Sequence, residues 1–153
     1  MRDTPLVPGL ALVLLGIALS VSPLLPWYAV DLPARRVTAA GVEVSGELWL
    51  MPLLGVAIVV AGITLLAGPS PPTRAWAEAA AALAGVLAAG VALRSALTLP
   101  VELTVDDSGQ TFVVGPEPTT EPLAYIAVLA AAGSVAIAVI ARVARRRPRR
   151  ERR

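Results

Sequence analysis

Apolar residues in this 153-residue chain gather into four long runs, at about 8–25, 48–67, 75–97 and 122–143. Each matches the roughly 20 residues that an α-helix needs to cross about 30 Å of hydrocarbon. Between them lie one short connection and two longer ones, 26–47 and 98–121, where the period changes. In the second of these, Val101, Leu103 and Val105 alternate with Glu102 and Thr104, and Asp106, Asp107, Ser108 and Gly109 supply turn chemistry before 111–114. That pattern predicts a hairpin. In the first, 37–39, Gly41 and 42–44 predict a weaker one. A lone hairpin is marginal in water, so the two are expected to join in one sheet of about four strands.

The fold class expected is an all-α membrane protein: a four-transmembrane-helix bundle with a small antiparallel β-sheet formed by the two extracytoplasmic loops. The chain, 1–153, makes one integral membrane domain. Gly115, Pro116 and Pro118 end the second hairpin, and Thr120 is the expected cap of a helix that begins at Pro122. The proline-stiffened stretch between the second and third runs, with Thr73 as a cap, makes those helices antiparallel neighbours.

Composition strengthens this reading, since 56% of residues are hydrophobic and only 16% charged, well outside the globular average. The net charge of +2 hides an asymmetry, because eight of the thirteen basic residues lie from Arg142 onward and the rest of the chain has more acid than base. An arginine block could neutralise nucleic-acid phosphate. Joined directly to an apolar run, it reads instead as the anchor of a membrane protein. Arg145, Arg146, Arg147, Arg149, Arg150, Arg152 and Arg153, in a basic tail at 144–153, are expected at anionic lipid headgroups, each contributing about 1 kcal/mol. The partner expected there is the bilayer, with no nucleic acid.

The third run is mostly alanine, with Glu78 near its start and Arg94 near its end, and by itself would also suit a soluble helix. Parity favours the membrane. With four spans Arg2, Arg74 and the tail share one side, leaving Arg35, Arg36 and Arg94 on the other, as the positive-inside rule asks. Both termini are then cytoplasmic, in a bacterial cell (inner) membrane. The first run also resembles a signal peptide ending near 18–20, although its length and Pro23 favour retention. Trp27, Tyr28, Trp49, Trp76 and Tyr125 fall at run boundaries and are expected to be interfacial anchors.

Lipid gives helices no hydrophobic reward for pairing, so small residues must permit close approach. Ala81, Gly85 and Ala89 form a candidate packing face on the third span, expected to be the most buried. Ala132, Ala136 and Ile140 form a second stripe on the fourth.

Candidate chemistry is sparse. The chain has no cysteine and no histidine, which excludes disulfides, thiolate nucleophiles and the commonest general base. Only Thr64 and Ser134 lie in mid-span, and both can bond back to their own helix. Glu78 and Arg74, four residues apart, are expected to reach together toward the interface. Arg94 is expected either to meet a loop carboxylate or to extend to the headgroups. The loop acids Asp31, Glu43, Glu47, Glu102, Asp106, Asp107, Glu117 and Glu121 lack the spacing of a calcium loop. No phosphate loop, serine elbow or metal-ligand helix appears. No catalytic residue, metal or cofactor is expected.

The stretch "LLPWYAVDL" closing the first span, the loop ending in "VEVSGELW", the small-residue third span ending in "ALR" and the basic tail together resemble the actinobacterial tryptophan-associated transmembrane proteins. The resemblance implies a four-span membrane protein whose activity is not established, and it carries no catalytic residues. Trp27 followed by "GELW" ending at Trp49 is similar to the signature of claudins, whose paired cysteines are absent here. That second likeness is one of build: four helices joined to an outer sheet. The function expected is a non-enzymatic interaction, assembly or scaffold protein engaging a membrane or envelope partner through the outer loops. The alternatives are an accessory subunit or small carrier in membrane transport, with Glu78 or Arg94 lining the route, and an envelope enzyme using loop carboxylates.

Overall fold

The computed structural model describes residues 6–31, 36–98 and 119–146, and all their side chains but those of Val37, Arg145 and Arg146. In chain order they form α1 (Leu6–Val21), a 3-10 turn (Ser22–Leu24), β1 (Pro26–Asp31), β2 (Arg36–Ala40) and the single-turn α2 (Gly41–Val44). A second 3-10 turn (Gly46–Trp49) leads into α3 (Leu50–Leu66), followed by α4 (Pro71–Leu97), β3 (Thr119–Thr120) and α5 (Pro122–Arg146). Four helical segments, one at each of the four apolar runs, are long and apolar enough to cross a membrane. Prolines open α4 and α5, where a missing N–H costs nothing because the first turn has no intrahelical acceptor for it.

The four long helices close a ring, α1 against α3, α3 against α4, α4 against α5, and α5 back against α1. On α4 and α5 the inward positions are mostly alanine, whereas α1 and α3 also bury Leu12, Leu19, Met51, Ile58 and Leu65, and each helix turns other large residues outward. Ala81, Ala88, Ala92, Ala124 and Ala131 are buried, whereas Leu10, Val60, Leu83 and Leu129 are exposed. This arrangement suits helices packed in lipid, where association depends on backbone approach.

The closest approach is between α1 and α3. A Cβ on Gly16 would lie 2.7 Å from Gly55 O, and one on Gly55 would lie 2.6 Å from Gly16 O. Seven residues along each helix the contact repeats: a Cβ on Gly62 would lie 2.8 Å from Gly9 O, and one on Gly9 3.0 Å from Gly62 O. Two glycine pairs, two turns apart on antiparallel helices, thus let backbone touch backbone. The Ser20 hydroxyl adds a polar bridge, donating to Gly16 O at 2.9 Å and Pro52 O at 3.3 Å.

Two expectations need correction. On α5 the stripe Ala132, Ala136 and Ile140 faces outward. The inward stripe is Ala124, Ala127, Ala131, Ser134 and Ala138, set by the helices α5 meets on either side. The sheet also differs from the one expected. It is antiparallel with order β2-β1-β3, and its first hairpin joins β1 to β2, with Asp31 opposite Arg36. Residues 42–44, expected as a strand, are helical because the Glu43 carboxylate reaches back to accept the Ala40 N–H at 2.9 Å, closing the first turn of α2. The second expected hairpin, at 101–114, lies outside the described residues. The end of that connection supplies β3, so both longer connections contribute to one sheet.

Candidate functional site: the junction of sheet and bundle

β1 is covered on both faces, with Trp27, Tyr28, Ala29 and Val30 all buried between exposed ends. Its register breaks between Pro26 and Tyr28. At that bulge Trp27 packs against Gly41 and Leu48: a Cβ on Gly41 would lie 2.8 Å from Leu48 Cδ1 and 3.1 Å from the indole. The buried indole N–H donates to Ser22 O at 2.7 Å. Trp27 O accepts the N–H of Glu121 at 2.7 Å, which joins the bulge to the entrance of α5.

The next residue ties the sheet to α4. A helix ends with carbonyls that have no intrahelical donor. At the end of α4, Arg94 O accepts the N–H of Thr98 at 2.8 Å. Ser95 O accepts the Tyr28 hydroxyl at 2.8 Å, and Ala96 O accepts the Thr120 hydroxyl at 3.1 Å. Tyr28 and Thr120 are paired across β1 and β3, so one rung of the sheet terminates the helix. Burial pushes the Tyr28 phenol above its ordinary value of 10.0, keeping the hydroxyl protonated as a donor.

Charged groups ring the junction. Arg36 pairs with Glu121 and, at 3.7 Å, with Asp31. Arg94 meets Glu47 at 3.3 Å, linking the last turn of α4 to the approach to α3. Of the two alternatives for Arg94, this is the meeting with a loop carboxylate. The Arg36–Asp31 and Arg94–Glu47 pairs join exposed side chains, so water screens them and each contributes little to stability. Asp31, Arg36, Thr38 and Glu43 are exposed around the sheet.

The anticipated site residues divide. Trp27 and Tyr28 do not face an interface as anchors must: they are 0% and 1% exposed, because the sheet and bundle close over them. Trp49, Trp76 and Tyr125 are 58%, 76% and 49% exposed, at helix ends. Ala81 and Gly85 are buried and Ala89 half-buried, with Gly85 against Ser134 and Ala131 of α5. Thr64 and Ser134 bond back to Val60 O and Ala131 O. Glu78 departs from the expectation of reaching outward, since only 2% of it is exposed. The side chains of Arg145 and Arg146, and all of Arg147, Arg149, Arg150, Arg152 and Arg153, lie outside the described residues.

Sequence reasoning missed the hydroxyl clamp on α4 and the glycine pairs. The signals were present: an apolar run without alternation at 27–30, the mark of a strand buried on both faces, and glycines seven apart in both of the first two spans. Comparisons with protein-family models, curated proteins and solved structures found no match.

Proposed function

We propose that this chain is a small, non-enzymatic, multi-pass membrane protein that presents its sheet to another membrane or envelope protein. In this reading the sheet lies outside a bacterial inner membrane, both termini lie in the cytoplasm, and the tail arginines rest on anionic headgroups. Trp49 and Tyr125 near the sheet, and Trp76 at the opposite end, support that placement as exposed aromatic anchors. The layout is also the ground for proposing kinship with the actinobacterial tryptophan-associated transmembrane proteins.

The observation that carries the proposal is the bonding of Tyr28 and Thr120 to the last carbonyls of α4. A sheet fixed in this way is a rigid platform with a charged rim, and rigid elements lose little entropy when a partner docks. The polar groups of the junction are engaged in holding the platform, which favours binding over chemistry. The test places a photo-crosslinking residue at Thr38 or Glu43 in cells and identifies what is captured. The expected result is one recurrent membrane or envelope protein, with capture reduced by Arg36→Glu. Recovery of the chain only as an uncrosslinked monomer would refute it.

A further inference from the structure

An edge strand carries backbone N–H and C=O groups that its own sheet does not pair, and these are a template for another strand. Which residues of β2 present them follows from the bonding of β1. Trp27 O accepts the Glu121 N–H and Ala29 O accepts the Thr119 hydroxyl, so both residues turn toward β3. Backbone direction alternates along an antiparallel strand, which turns Tyr28 and Val30 toward β2, opposite Ala39 and Val37. The Gly41 N–H, two residues on from Ala39, points back in the same way, to Leu25 O. Arg36, Thr38 and Ala40 therefore direct their backbone groups away from β1. Among the described residues β2 has no second neighbour, and Thr38 at its centre is exposed. The Ala40 N–H is already taken by the Glu43 carboxylate. The open edge is thus centred on Thr38.

The tilt of the sheet decides what can meet that edge. Tyr28 and Thr120 send their hydroxyls to Ser95 O and Ala96 O, and the carbonyls of a helix point along its axis. The face that carries these two side chains therefore looks down α4. Two antiparallel edges join about a two-fold axis normal to the sheet, which here runs along the bundle. A second copy brought to the edge stands with its helices in the same sense as the first, as two copies inserted alike in one membrane do. The ends of the edge also suit each other. About a two-fold at Thr38, Ala40 of one copy faces Arg36 of the other. The Glu43 carboxylate, held at the Ala40 N–H, then lies beside that guanidinium. Arg36 is bonded to Glu121 within its own chain, but Asp31, exposed and 3.7 Å away, is a loose partner that Glu43 of the second copy can replace.

We propose that two copies of this chain associate edge to edge through β2, with Thr38 of each opposite Thr38 of the other and Glu43 of each meeting Arg36 of the other. The shared sense of insertion rests on the membrane reading. The association does not rest on the docking partner proposed above, which meets the side chains of the sheet and not its edge. A second copy joined at Thr38, with no other protein captured there or at Glu43, upholds this inference and removes that one.

The test uses the full chain in intact membranes. The chain has no cysteine, so Thr38→Cys introduces a single thiol, and residues opposite each other across paired strands are close enough for a disulfide. Mild oxidation should link Thr38→Cys into a dimer. Asp31→Cys, equally exposed but on the neighbouring strand, should stay monomeric. Adding Glu43→Arg or Arg36→Glu to Thr38→Cys should lower the dimer yield several-fold. Coexpression of those two variants with different tags should recover it as the mixed dimer, because each then meets its opposite charge. Thr38→Pro removes an N–H that β1 does not use, and should abolish copurification of two differently tagged copies in mild detergent. If that variant does not fold, the cysteine arms still decide. Linkage at Asp31 as strong as at Thr38, no recovery in the mixed pair, or capture of another protein or of another part of the same chain in place of a second copy would overturn the proposal.

Discussion

Where α1 crosses α3, the carbonyl of one glycine lies against the Cα of another, whereas at the α4–α5 contact Gly85 faces the Ser134 hydroxyl and the Val135 methyl. Both contacts use small residues at regular spacing, but they differ in what can give way. A methyl added at Gly16 would meet Gly55 O at 2.7 Å and Val59 N at 2.9 Å, both backbone. A methyl at Gly85 would meet Ser134 Oγ at 2.6 Å and Val135 Cγ2 at 2.8 Å, while the nearest backbone atom, Ala131 O, is 3.1 Å away. Rotating a side chain is cheap, and moving a helix is not. The α1–α3 pair is held by direct backbone approach. At Gly85 the α4–α5 contact is closed first by side chains, and α4 is tied at its end by the sheet.

Gly16→Ala tests this difference most severely and should lower the unfolding free energy in detergent by about 3 kcal/mol, with Gly62→Ala close behind. Removing the end tie comes next. Tyr28→Phe leaves Ser95 O without its donor and should cost about 1–2 kcal/mol by the same measurement. The wild-type phenol, raised by burial, favours the folded state while it is protonated. Its contribution is full below pH 10 and is lost as pH rises through the folded value, because the unfolded chain ionises first. The phenylalanine variant should lack that part of the alkaline loss in a titration of unfolding midpoint against pH. Gly85→Ala should cost under about 1 kcal/mol, since Ser134 and Val135 can turn aside. The smallest effect is expected from Arg94→Gln. Its exposed pair with Glu47 should contribute about 0.5 kcal/mol, and less as salt is added. Equal costs at Gly16 and Gly85 would erase the distinction.

The four helices were legible because about 20 apolar residues with few charges make a signal that hydropathy records directly, and their ends fell within a few residues of the runs. The weak third run proved a continuous helix, Pro71–Leu97. The sheet was legible only in outline. Residues 42–44 alternate as a strand would, yet the capping bond from Glu43 to Ala40 N–H draws them into a helical turn. Trp27 and Tyr28 sat at a span boundary, where aromatics usually meet headgroups. Tyr28 pairs with Thr120, some ninety residues away, and Trp27 packs against Gly41, and no local pattern reports such partners. The outward stripe on α5 was misread for a related reason. Small residues mark a helix as able to pack, but neighbours determine which face does so.

The paired glycines also constrain how a chain of this kind can change length. Gly9 meets Gly62 and Gly16 meets Gly55, so the two contacts share one register. A single residue inserted between Gly9 and Gly16 would turn one of them about 100° away from its mate and set a side chain against a backbone that has no room for it. Insertions elsewhere, in the turn between α3 and α4 or between α4 and β3, leave that register untouched. Homologues that keep this contact are therefore expected to vary freely in their connections, but to lengthen or shorten the paired stretches of α1 and α3 only by two whole turns, and only in both helices at once.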